Sequence, residues 1–251
     1  MKNLHKLKQN MGLLLSACNC KKMFNLFKSQ EKIGGEIAYH NLIDWWLKTF
    51  SKQERDYIVK TFQPLGGSGV DLIKGEIQYS NGSAVSLLSN LAGWFKNDKD
   101  REIGYKLLDK AEKLIADNTD TLDIHFFYQN KLGFYYRFRE IDQESLNIAI
   151  EACKKQIELS PSAILAFKKE YEHEKLPMHT GYEQLAIILE KQEKYNEAID
   201  LCKQAQKQTW NGEWDKQIER YLKKNLKNNF YTPKNRSKCA PPSSQHHAST
   251  R

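Results

Sequence analysis

From Tyr182 to Ala205 the apolar and small positions recur at intervals of three and four: Tyr182, Leu185, Ala186 and Leu189, then Tyr195, Ala198, Cys202 and Ala205. That period is helical, and it predicts two antiparallel helices that cross at Ala186 and Ala198, where small side chains let the backbones approach. Two further segments carry the same pattern. One runs Leu88, Leu91, Ala92 and Phe95, then Gly104, Leu108 and Ala111; the other runs Leu132, Gly133 and Tyr136, then Ala149 and Cys153, closing at Pro161. The paired small residues stand 12 apart in the first and last copies and 16 apart in the middle one, which places four extra residues within Arg139–Ser145. One such hairpin cannot bury its apolar face alone, but three stacked copies can.

The order Tyr182-x2-Leu185-Ala186-x2-Leu189 followed by Ala198-x3-Cys202 resembles the tetratricopeptide signature, as do the two weaker copies. The anchors Ala92, Gly133 and Ala186 are 41 and 53 residues apart, against about 34 in regular arrays of that family. The resemblance covers roughly residues 84–227, and the chain is more loosely similar to bacterial proteins built the same way. The resemblance implies an all-α fold: a helical-hairpin α-solenoid with about three irregular repeats, an N-terminal helical pair and a C-terminal capping helix. It also implies a binding scaffold, because such hairpins hold many different partners and carry no chemistry of their own.

The flanks have readable punctuation. Residues 1–35 form a basic leader and 36–80 an N-terminal helical cap, in which Ile37–Phe50 shows a broad apolar face and Ser51-x2-Glu54 a capping box opening a second helix to about Phe62. Pro64 and Gly66–Gly69 then stop the helix; the glycines lack the Gly-Lys-Ser/Thr ending of a phosphate loop and read as a turn. Ser80 or Ser83 caps the first repeat helix of the repeat domain, 81–227. Asn211-Gly212 breaks the last repeat, Trp214, Ile218, Tyr221, Leu222 and Leu226 mark a closing helix, and 228–251 read as a disordered tail.

Charge changes the picture when it is divided along the chain. The 251 residues have a net charge of +8, yet residues 1–32 and 216–251 hold seven and nine Lys/Arg against one acid each, and the body between is acidic. Basic ends on an acidic body argue against a nucleic-acid groove, which concentrates cations on one ordered face. Leu15-Ser16-Ala17-Cys18 resembles a lipoprotein box, so the alternative to a cytoplasmic protein with a basic leader is a membrane-anchored one lipidated at Cys18; the apolar run before it is short for a signal peptide.

Candidate chemistry is sparse. Five scattered cysteines suit a reducing compartment, and Cys153 and Cys202, in equivalent slots of second helices, read as small buried hydrophobes. His173 and His179 flank Pro177 in a charged Lys168–Met178 connector that reads as a solvated helix. No metalloprotease, nucleophile-elbow, phosphate-loop or dinucleotide motif occurs in the sequence, so the expectation is a protein that is not an enzyme and takes no cofactor or metal; the alternative is an enzyme whose site is assembled only in the fold. The groove positions expected on the first helices are Phe127, Asn130, Lys131, Phe134, Arg137 and Phe138, beside Asn90 of the first hairpin, with Glu183 and Glu190 of the third opposing an acidic ligand. On this expectation Phe126, Tyr128, Tyr135 and Tyr136 form the core. Aromatic faces interleaved with Lys, Arg and Asn suit a protein or peptide partner carrying acidic groups.

Overall fold

The computed structural model describes residues 32–80, 82–172 and 174–231, so the leader with Cys18, the residues beyond 231 and His173 lie outside the described residues. The chain divides between Tyr79 and Ser80 into two compact units. Both are helical, with eleven α-helices and no strand among the described residues.

In the first unit the expected helix Ile37–Phe50 is two helices, α1 (Gly35–Tyr39) and α2 (Ile43–Thr49). The chain turns between them at Asn41, whose φ of 57° is a left-handed conformation that Asn tolerates and a helix interior does not. α3 (Lys52–Thr61) begins at the predicted box: Ser51 Oγ accepts from the Glu54 N–H at 3.2 Å and the Ser51 N–H donates to Glu54 Oε2 at 2.7 Å. Trp46, Phe50 and Ile58 are fully buried, and the Arg55 guanidinium donates to the Phe50 carbonyl at 2.6 Å.

The second unit holds three helical hairpins. α4 (Ala84–Ala92) pairs with α5 (Arg101–Lys113), α6 (Thr121–Arg137) with α7 (Gln143–Glu158), and α9 (Thr180–Lys191) with α10 (Tyr195–Lys207). Ser83 caps α4 by accepting from the Ser86 N–H at 3.1 Å. α4 also packs on α6 and α7 on α9, so each hairpin contacts the next; α11 (Trp214–Tyr231) closes the series against α10. An additional helix, α8 (Ser160–Glu170), is seated on α6. Pro161 opens this helix where the sequence suggested a stop, because a proline in the first helical turn withdraws no needed N–H. α8 and the irregular stretch after it account for the wide spacing before the last hairpin. They also replace the solvated helix expected over Lys168–Met178: α8 ends at Glu170, and residues 174–177 have no regular structure.

The small residues sort by what they touch. Ala92, Ala149, Ala186 and Ala198 are fully buried. Gly104 of α5 lies under the Phe134 ring, where an added Cβ would stand 2.0 Å from its Cζ, whereas a Cβ on Gly133 would meet nothing within 4 Å. Gly133 is therefore not the crossing residue of the middle hairpin, as its place in the repeat pattern suggested.

Candidate functional site

α6 is the central helix of the second unit, and its side chains divide into two stripes. Phe127, Phe134 and Phe138 are at most 3% exposed. Lys131 lies on the same face at helical spacing, half-buried, with Nζ 2.6 Å from Glu112 Oε2 of α5 and 5.9 Å from the Phe127 ring centroid. This stripe packs on the first hairpin: Phe134 covers Gly104, and Phe134 and Phe138 meet the Tyr105 ring edge-on at 5.8 and 6.3 Å. Phe127, Lys131, Phe134 and Phe138 are thus core or core-edge residues, which corrects the groove expected from sequence. The physical reason is that α6 has neighbours on several sides, so its rings are consumed by helix packing.

The outward stripe is Phe126, Asn130, Gly133 and Arg137, one helical face at spacings of four, three and four. Phe126 is 40% exposed, so it is not core; Tyr135 is buried, and Tyr128 and Tyr136 are half-buried. Asn130 Nδ2 donates to Asn90 Oδ1 of α4 at 2.9 Å and faces Ser89 Oγ at 3.4 Å. Asn130, Arg137 and Asn90 are the expected groove residues that remain accessible, and the structure brings the two asparagines together. On the other side α9 runs parallel to α6: the His125 and His179 rings meet at 5.2 Å near their starts, and Lys191 Nζ donates to the Tyr136 hydroxyl at 3.0 Å near their ends.

That far end is cationic. The Arg139 guanidinium stacks on Tyr136 at 4.2 Å and is paired with the Glu140 carboxylate at 3.1 Å, while Lys191 lies 5.6 Å from the same ring. Glu190, expected to oppose an acidic ligand, is instead satisfied within the fold. Arg220 and Lys224 of α11 each reach it at 2.8 Å, and its side chain is 15% exposed.

At the near end lies a buried polar cluster that the sequence pattern does not reveal. His125 of α6 and His179, both at most 1% exposed, meet Trp210, which is 2% exposed, and the fully buried Gln156 of α7 joins them through His125. His125 stacks on Trp210 at 5.9 Å, and His179 meets the same indole edge-on at 4.7 Å. His179 caps α9, its Nδ1 accepting from the Tyr182 N–H at 3.3 Å; its proton therefore sits on Nε2. Gln156 Nε2 donates to the His125 carbonyl at 3.2 Å and faces His125 Nε2 at 3.3 Å, leaving the proton on Nδ1, which has no hydrogen-bond partner. Trp210 Nε1 donates to Ser160 Oγ at 2.7 Å, and Gln208 Oε1 collects the Ser160 and Tyr182 hydroxyls at 2.6 and 3.1 Å. Burial lowers the His125 pKa to about 4; burial, then the neighbouring His125, lowers that of His179 to about 3. Both rings stay neutral and sealed at neutral pH, so this cluster fastens α6, α7, α8 and α9 to the turn at Trp210. The signal in sequence was faint: a histidine in an N-cap position just before an apolar helix.

Cys153 and Cys202 are buried, and burial pushes their thiols up to about 12 and about 11. Among the described residues no group of three or more His, Cys, Asp and Glu side chains could hold a metal ion, and no helix is long and apolar enough to cross a membrane. Comparison with protein families, with curated proteins and with solved structures finds no match for this chain.

Proposed function

We propose that the second unit is a non-catalytic, tetratricopeptide-like scaffold that binds an acidic peptide or protein segment along the outward stripe of α6, between α4 and α9. The observation that carries this reading is the accessible row Asn90–Asn130–Arg137, which ends beside Lys191 and the Arg139–Tyr136 stack. Amide and guanidinium donors on one helical face suit carboxylates, because charge-assisted bonds to Arg are roughly twice as strong as neutral ones and fix geometry. The neutralisation of Glu190 by two cations removes one of the two carboxylate repulsions expected from sequence, leaving Glu183. The three successive hairpins, with small buried residues at Ala92, Ala149, Ala186 and Ala198, are the support for the family resemblance, and a reducing, cytoplasmic setting accords with two buried free thiols.

The experiment is fluorescence polarisation of a labelled peptide of alternating Asp and Ser, at low and at physiological salt. Arg137→Glu and Lys191→Glu are each expected to weaken binding tenfold or more, and salt to weaken binding to the native protein. Affinity unchanged by both substitutions, with helical content intact by circular dichroism, would move the binding surface off α6.

A further inference from the structure

The outward stripe of α6 is polarised, cationic at Arg137 and apolar at Phe126. Beside Phe126 lies a cavity of about 190 Å³ lined by Phe126, Phe167, Tyr171, Leu176 and Pro177. Phe126 meets Phe167 edge-on at 5.9 Å, and Tyr171 leans on Phe167 at 6.1 Å. Phe167 and Leu176 are buried, whereas Phe126 and Tyr171 keep 40% and 45% of their surface exposed, so they form the rim on which an occupant would close. Glu174 and Lys175 also line it, and their opposite charges leave the mouth without a net preference. The volume lies well below the roughly 300 Å³ at which pockets for whole small molecules begin; it suits a single side chain.

We infer that this cavity receives one bulky apolar side chain, aromatic or leucine-like, of the same acidic segment whose carboxylates lie at Arg137 and Lys191. This rests on the reading of the stripe as a peptide site and adds a specificity element to it. Phe126 and Arg137 stand eleven positions apart, about 16 Å along α6, which an extended peptide covers with about five residues. The partner's recognition element is therefore an apolar anchor and an acidic cluster about five residues apart. The charge complementarity at one end commits the occupant to an acidic segment, and the aromatic walls supply the burial that charges alone lack. Desolvated apolar anchors of this kind carry most of the energy of such interfaces, while exposed charges steer and orient.

The test uses three labelled peptides with the intact chain: one Phe, a four-residue Gly/Ser spacer and three Asp; the same peptide with Ala for Phe; and the same with Asn for each Asp. The first is expected to bind about tenfold or more tightly than the second. Phe126→Ala and Tyr171→Ala are each expected to abolish that difference. Both positions are rim residues, and circular dichroism checks the fold. If the Phe and Ala peptides bind equally, and both weaken with Arg137→Glu, the anchor is overturned while the acidic site stands. If the Asn peptide binds as well as the Asp peptide, or none binds at low salt, the acidic-site reading falls and this inference with it.

Discussion

Gly104 and Gly133 are the same residue type at small positions of a repeat, and their surroundings are opposite. An added methyl at Gly104 would stand 2.0 Å from the Phe134 ring, while at Gly133 it would meet open space. Gly104→Ala is therefore expected to lower stability by about 1–3 kcal/mol through overpacking, despite the gain in helix propensity. Gly133→Ala, in an exposed helix interior, is expected to raise it by about 0.5–1 kcal/mol. Urea midpoints of the two variants check both signs. The sequence pattern supplied the positions of small residues but not the helix face that each one occupies. On α6, with rings at eight of the fourteen positions from His125 to Phe138, periodicity alone does not separate the packed face from the open one.

At the scale of helix pairs, Lys131 belongs to the interface between α5 and α6 and not to the groove. Its Nζ lies 2.6 Å from Glu112 and its side chain is 14% exposed. Lys131→Glu would place two carboxylates in one half-buried site, with an expected loss of about 2 kcal/mol, read as a lower thermal midpoint. Arg137→Glu, on the exposed stripe, is expected to leave that midpoint nearly unchanged. The Ser51 capping box, by contrast, was legible in full, because a cap joins residues only three apart; Ser51→Ala is expected to cost the first unit about 1 kcal/mol. α8 was not legible as a separate helix, since Pro161 serves equally as a stop and as a first-turn residue. The Ala186/Ala198 hairpin was legible because each of its contacts follows one period.

For the second unit as a whole, the paired histidines set a pH dependence with a definite sign. Unfolded, each would titrate near 6.5; folded, they hold at about 4 and about 3. Below pH 6.5 the unfolded chain binds protons that the native one refuses, so stability falls as the pH drops from 6.5 toward 4, by on the order of 2–3 kcal/mol per histidine. His179→Asn keeps an oxygen to cap α9 and removes one titrating ring; it is expected to reduce that acid loss by about half, measured by urea unfolding at pH 7 and pH 4.5. An acid loss identical in the variant would remove His179 from the account. The cluster escaped sequence analysis because its members, at positions 125, 156, 179 and 210, come from four separate segments, and only tertiary packing joins them.

The central claim is that α6 offers Phe126, Asn130 and Arg137, and not its buried rings, to an acidic segment. Its most direct measurement is the response of the side-chain amide resonances of Asn90 and Asn130, identified with Asn90→Ser and Asn130→Ser, during titration with the Phe–spacer–Asp peptide. The account predicts that both amides shift saturably with one dissociation constant. Saturable binding that moves resonances elsewhere and leaves these two amides in place would contradict it.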